Sequence, residues 1–219
     1  MGKLIAIIGP SGVGKTTLVR ALAQTQASGI PEFATALEQH AERPFQAVFK
    51  EDARYGLLNQ LDFFLLRANQ EGELRASPRT GLIDGGLDLD YHGFTRLFHA
   101  RGLLSDRDFE LCSRVYAALR ELLPLPELLV RLKADRETVA GRLSGRDRIN
   151  IASFQDTARF ETYLDEWLAG LPAHQVLELD VSQEPPGYPE SAARILAGLS
   201  AMRKEYTTLP TSKPNSKGV

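Results

Sequence analysis

A single cysteine, Cys112, stands in the 219-residue chain, so no disulfide can form within it, and a reducing compartment, the cytoplasm, is the expected location. An excess of charge of one sign is missing as well. With 26 Lys and Arg against 28 Asp and Glu, the formal charge of −2 gives no whole-protein pull toward nucleic acid or a membrane, and neither is expected as a partner. Long hydrophobic runs are absent. The start Met1-Gly2-Lys3-Leu4 enters an apolar run ending at Ile8, too short for a signal-peptide core and far too short to span a bilayer. His40, His92, His99 and His174 show no paired metal-ligand spacing, which argues against a histidine-built metal centre. No internal repeat is visible. A hydrophobic fraction of 43% and a charged fraction of 25% are those of a globular protein, long enough for one domain with a sizeable core.

The periodicities divide this domain into alternating strands and helices. Lys3 to Ile8 reads as a buried strand ending at Gly9, followed by a helix over Thr16–Gln24. A helix is also expected between the breakers Pro31 and Pro44. Leu57, Leu61, Phe64, Leu65 and Ala68 form a helical stripe within Arg54–Gln70. Thr80–Asp84 is a short strand ending in a carboxylate, with helices over Leu87–Ala100 and Asp106–Leu122. Strands at Leu128–Leu132 and Gln175–Asp180 alternate with helices at Arg136–Leu143, Arg159–Leu168 and Glu190–Arg203. This alternation predicts an α/β fold of three layers, a mainly parallel sheet with helices on both faces. Residues 1–205 form one domain on this reading, and the Ser, Lys, Pro and Thr-rich stretch 206–219 is expected to be disordered.

One motif carries specific chemistry. Gly9-Pro10-Ser11-Gly12-Val13-Gly14-Lys15-Thr16 has the spacing G-x-x-x-x-G-K-[ST], placed between a predicted strand and a predicted helix. Gly9, Ser11, Gly12, Val13 and Gly14 would turn backbone N–H groups around phosphate oxygens, with Thr17 in the first turn of the helix behind them. Lys15 would reach the β and γ phosphates and Thr16 would coordinate Mg²⁺. The motif predicts binding of ATP or GTP with Mg²⁺. No Asn/Thr-Lys-x-Asp guanine signature is present, which argues against a GTPase.

Later motifs narrow the class. Ile30-Pro31-Glu32, the trio Gln60, Arg67 and Asp90, Ile83-Asp84-Gly85-Gly86, and the arginines 142, 146 and 148 occur in the order and spacing of one family. From Leu4 to about Leu179 the chain resembles the deoxynucleoside kinases, the family of deoxycytidine, deoxyguanosine and deoxyadenosine kinases. The resemblance implies a P-loop kinase fold and transfer of phosphate from ATP to the 5′-hydroxyl of a nucleoside-like small molecule. It implies that Glu32 accepts the hydroxyl proton, that Gln60 and Arg67 read the base, and that Asp90 pairs with Arg67. A planar guanidinium held by a carboxylate beside an amide suits a base edge. Asp84 would hold Mg²⁺ or its water. Arg142, Arg146 and Arg148 would belong to a lid around residues 142–150 that clamps the moving phosphoryl group. A homodimer through the helices flanking Gln60 is implied too.

The chain also departs from that pattern. Gly85 stands where the family has an arginine near the 5′-oxygen. Phe49, eleven residues before Gln60, replaces the tyrosine that binds the sugar 3′-hydroxyl, and its partner glutamate falls near Ile151. Base recognition is expected to be kept and sugar recognition altered. Two alternatives stand beside the nucleoside kinase: a nucleoside monophosphate kinase, and a nucleotide-binding regulator without acceptor chemistry.

Overall fold

The computed structural model describes residues 2–25, 32–37, 43–144, 156–185 and 187–208. Five strands, β1 (Leu4–Ile8), β2 (Phe33–Ala36), β3 (Thr80–Asp84), β4 (Leu128–Lys133) and β5 (Val176–Asp180), form one sheet in the order β2-β3-β1-β4-β5. Every pairing is parallel. The helices are α1 (Lys15–Gln24), α2 (Pro44–Glu51), α3 (Gly56–Ala76), α4 (Leu87–Leu89), α5 (Arg96–Ala100), α6 (Asp106–Leu122), α7 (Arg136–Ser144), α8 (Thr157–Leu168) and α9 (Pro189–Thr208). A π-helical turn, Asp90–Thr95, joins α4 to α5.

The core sits on both faces of the sheet because β1 is apolar at every position. Ile5 and Ile7 join α1 (Leu18, Leu22) and α9 (Ile195) on one side. Leu4, Ala6 and Ile8 join Phe160, Leu164 and Leu168 of α8 on the other. Alternate side chains of a strand point to opposite faces, so a continuous apolar run serves two layers. Each fully buried Ile or Leu contributes roughly 1.5–3 kcal/mol. One charged residue interrupts this pattern: Arg131 in β4, 2% exposed, is held by Glu161 and Asp165 of α8 and by Glu178 of β5.

The region between Pro31 and Pro44 corrects the helical expectation. Its described part contains strand β2, whose Phe33-Ala34-Thr35-Ala36 pairs with Thr80 to Ile83. Local preference loses here to the ladder and to burial on the sheet edge. The helix starts at Pro44 instead, where a proline without an N–H fits the first turn. Helix α9 runs to Thr208, so it takes in 206–208 of the predicted tail, while 209–219 lie outside the described residues. Among the described residues no helix is long and apolar enough to cross a membrane.

Candidate active site

All strands end on the same edge, and the candidate site is built there. Ile7 of β1 lies beside Asp84 of β3 in the parallel register, so the loop leaving β1 and the carboxylate ending β3 meet. Helix α1 begins at Lys15 behind Gly14, whose φ of 113° no side chain adopts readily, and no side chain caps its first turn. The N-terminal N–H groups therefore face the loop, as anion binding requires. A Cβ at Gly14 would stand 2.1 Å from the Tyr188 hydroxyl, so glycine is also needed for that ring to close over the loop. Lys15 Nζ donates to the carbonyls of Gly9 and Pro10, both at 2.9 Å.

Thr16 Oγ1 donates to Asp84 Oδ2. Asp84 is 1% exposed, and its other oxygen, Oδ1, has no hydrogen-bond partner among the described residues. A buried carboxylate oxygen without a donor is costly unless a cation or a bound water satisfies it. The pair Thr16 and Asp84 thus fits the donor set expected of Mg²⁺.

Toward β2 lies a second constellation. Arg67 of α3 donates from Nε to Asp90 Oδ2 at 2.9 Å, and from Nη1 to the Asp84 carbonyl at 3.1 Å and Gln70 Oε1 at 3.2 Å. Arg67 and Asp90 are both at most 4% exposed. Gln60, one face of α3 with Arg67, donates from Nε2 to Thr95 Oγ1 at 2.7 Å and accepts from Asn59 Nδ2 at 3.1 Å. Nε2 also donates to the Asp90 carbonyl at 3.5 Å. A primary amide has two donors and two acceptor lone pairs, so Gln60 keeps capacity for a ligand at its oxygen. The π-helical turn places Thr95 where its hydroxyl reaches back to the Asp90 carbonyl at 2.9 Å. Asn59 Oδ1 beside it is buried with no hydrogen-bond partner among the described residues.

Behind the β3 corner is a buried ionic cluster. Glu71, 0% exposed, accepts the Leu87 N–H and two bonds from Arg120, which also holds both oxygens of Asp88. Burial raises the Asp88 carboxyl to about 6 although Arg120 pulls it down. Burial opposes the charge on Arg120, but Asp88 and Glu71 together hold its pKa above the ordinary value. Tyr116 donates to Asp88 Oδ1 at 2.7 Å, so His92 Nε2, at 3.1 Å from the Tyr116 oxygen, acts as a donor there. Burial against Trp167, with Arg96 and Arg120 nearby, lowers His92 to about 3 and keeps it neutral.

The remaining expected site residues divide three ways. Glu32 is exposed at the start of β2 and meets Thr80 through its backbone carbonyl. Phe49 is 4% exposed in an apolar cluster with Phe98 and Leu104, its ring edge-on to Phe98 at 5.3 Å. Those neighbours are apolar core residues. Arg142 donates to the carbonyls of Val13 at 2.7 Å and Val181 at 3.1 Å, and lies over the Tyr188 ring. To clamp a phosphoryl group it would have to exchange both bonds. Arg146, Arg148 and Ile151 lie outside the described residues.

Sequence reading missed Tyr188, Glu184, Thr95 and the Glu71 cluster. A cleft of about 350 Å³ beside the phosphate loop is lined by Gly12, Thr17, Arg142, Glu184, Pro185 and Tyr188. Its only signal in the sequence is the Pro and Gly cluster at 185–189, a generic mark of a turn.

The parallel sheet, the phosphate loop after β1 and the carboxylate ending β3 define a P-loop kinase fold. Comparison with known proteins resolves the class: the deoxynucleoside kinase family model matches residues 5–197. The chain belongs to the deoxynucleoside kinase family. It is 29% identical over 150 residues to deoxyadenosine kinase of Dictyostelium discoideum, covering 67% of this chain and 58% of that protein. It is 30% identical over 145 residues to deoxyguanosine kinase of Bacillus subtilis (strain 168), covering 66% of this chain and 67% of that one. The match thus spans less than two thirds of the Dictyostelium relative. Deoxyadenosine kinase from M. mycoides with bound dATP superposes with a TM-score of 0.71 at 17% identity, over 88% of this chain and 98% of the other. The same enzyme with the products dcmp and a flexible dcdp gives 0.68 at 16% identity, over 90% and 99%. At those identities the solved structures attest the fold.

Proposed function

We propose that the protein transfers the γ-phosphoryl group of ATP to the 5′-hydroxyl of a deoxynucleoside-like small molecule. The observation that carries this reading is the juxtaposition, at the carboxyl edge of the sheet, of the Thr16–Asp84 bond with the buried Arg67–Asp90 pair and Gln60. One half suits a nucleotide triphosphate and its cation, the other a base edge. Family membership favours neither a monophosphate kinase nor a regulator.

On this reading the loop N–H groups of Gly9, Ser11, Gly12, Val13 and Gly14 and the start of α1, with Thr17, bind the triphosphate, and Lys15 leaves the Gly9 and Pro10 carbonyls for it. The donor base takes the cleft between the loop and Tyr188, with Arg142 as its wall; a dATP-bound relative of the same fold supports nucleotide use. Thr16 and Asp84 would hold Mg²⁺, which supplies charge neutralisation of the phosphoryl oxygens. Glu32 takes the hydroxyl proton, and Gln60, Arg67 and Asp90 orient the base. Arg146 and Arg148 complete the lid over 142–150 with Arg142, within one domain over 1–205. Phe49 and Ile151 leave the 3′-hydroxyl without the family's partners. We further propose a homodimer through the outer face of α3, where Leu58 and Leu65 are 42% and 59% exposed, and a cytoplasmic location, on the single buried cysteine.

ADP release with ATP, Mg²⁺ and panels of nucleosides and nucleoside monophosphates tests the reading. Nucleosides alone should stimulate release. Stimulation by monophosphates only, or by neither panel, refutes it.

A further inference from the structure

The place of Gly85 is explained by the side chain lying against it. Gly85 has φ of +89°, and a Cβ there would stand 3.2 Å from Arg67 Nη2. The absence of a side chain lets the Arg67 guanidinium lie flat on the turn that ends β3. From that position one planar fork reaches two groups at once, Asp90 Oδ2 through Nε and the Asp84 carbonyl through Nη1. Asp84 is then fixed on three sides. Its backbone is in register with Ile7, the following N–H of Gly85 donates to the Ile7 carbonyl at 2.9 Å, and its own carbonyl is held by Arg67. Its carboxylate is bound by Thr16 through one oxygen and leaves Oδ1 buried with no hydrogen-bond partner among the described residues. An unbroken series of polar contacts therefore runs from Thr16 through Asp84 and Arg67 to Asp90, and on through the Asp90 carbonyl to Thr95 and Gln60.

We propose that Arg67 is a positioning residue for the metal carboxylate as well as a base contact: by pinning the Asp84 peptide it sets the direction in which Asp84 presents Oδ1 to the cation. This rests on the reading of Asp84 and Arg67 given above. Lysine cannot replace arginine in such a role, because a single ammonium point cannot satisfy Asp90 and the Asp84 carbonyl in one rigid plane. Rotation of the Asp84 peptide by a small angle displaces the carboxylate, and metal sites demand tight placement of their oxygens.

The test uses the full chain carrying Arg67→Lys or Arg67→Gln. Mn²⁺ binding is titrated by electron paramagnetic resonance with saturating ATP and no nucleoside. Separately, kcat and KM are measured in Mg²⁺ with the best nucleoside. Both variants should weaken Mn²⁺ about fivefold or more and lower kcat at saturating nucleoside about tenfold. Near-UV circular dichroism reports whether each variant folds; Arg67→Lys keeps a cation beside Asp90 and decides the matter if Arg67→Gln does not fold. Unchanged Mn²⁺ affinity and kcat, with only the nucleoside KM raised, overturns the proposal and leaves Arg67 a base contact alone. If the unaltered protein phosphorylates no nucleoside, the acceptor reading fails, and the Mn²⁺ titration still decides: weakening upholds the link from Arg67 to Asp84, and no change overturns it.

Discussion

Replacing Arg120 by methionine removes the cation from the cluster behind the β3 corner. Glu71 is fully buried and Asp88 is 2% exposed, and Arg120 is the partner both share. Methionine approximates the arginine stem and fills part of its space, so the chief loss is charge. Breaking a buried ion pair by removing one member costs about 3–5 kcal/mol, since a charge is left without compensation. In a domain of this size that corresponds to a fall in Tm of roughly 6–20 °C. The loss should depend on pH, with a definite sign. A carboxyl whose pKa is higher folded than unfolded holds a proton in the native state that the unfolded chain has released. Stability from that group is then present at low pH and declines as pH rises through the window between the two values. In the native protein that window runs from 3.8 to about 6 for Asp88. Without Arg120, which lowers it, the Asp88 carboxyl rises further, so the window extends upward. Arg120→Met should therefore be less destabilised at pH 5 than at pH 8, by about 1 kcal/mol or more at 1.36 kcal/mol per unit. Urea unfolding of both proteins at the two pH values measures this. A loss under about 1 kcal/mol at pH 8, or one equal at both pH values, would refute the view that the cluster is held together by its central charge.

Three further outcomes are expected. On the proposed function, Lys15→Ala should cut turnover about 100-fold or more while leaving the unfolding transition in place, because the lysine would act on phosphoryl oxygens rather than on packing; steady-state kinetics with a thermal melt check it. Gly14→Ala should weaken ATP binding about tenfold or more, since a Cβ at φ 113° and 2.1 Å from the Tyr188 hydroxyl must displace the ring that lines the cleft; calorimetric titration of ATP reads this, and wild-type affinity would show that Tyr188 and the loop do not act together. Deoxy and 2′,3′-dideoxy forms of the best nucleoside should differ little in kcat/KM, because Phe49 is packed among apolar neighbours and offers the 3′-hydroxyl nothing. A hundredfold preference for the deoxy form, about 2.7 kcal/mol, would mean that other residues bind the hydroxyl.

Much of this molecule is written locally. The phosphate-loop motif is recognisable because its glycines, Lys15 and Thr16 occupy adjacent positions, and because strand and helix periods flank it. The offset of Gln60 and Arg67 puts them on one face of a helix, two turns apart, the resemblance implied a pairing of Arg67 with Asp90, and the structure pairs Arg67 with Asp90. Strand β2 escaped local reading: four small or mixed residues become a strand only because the edge of β3 offers a ladder. The Glu71, Asp88 and Arg120 cluster, the clasp of Arg131 by α8 and β5, and the approach of Tyr188 to Gly14 join residues far apart in the chain. None leaves a periodic trace, because charged residues look alike in sequence whether they are solvated or buried. Only the fold brings their partners within reach, and burial then makes each of those contacts matter. Gly85 shows the same division: alone it is a missing arginine, and in the folded chain it is where the Arg67 guanidinium, bonded to the Asp84 carbonyl, lies close against the backbone.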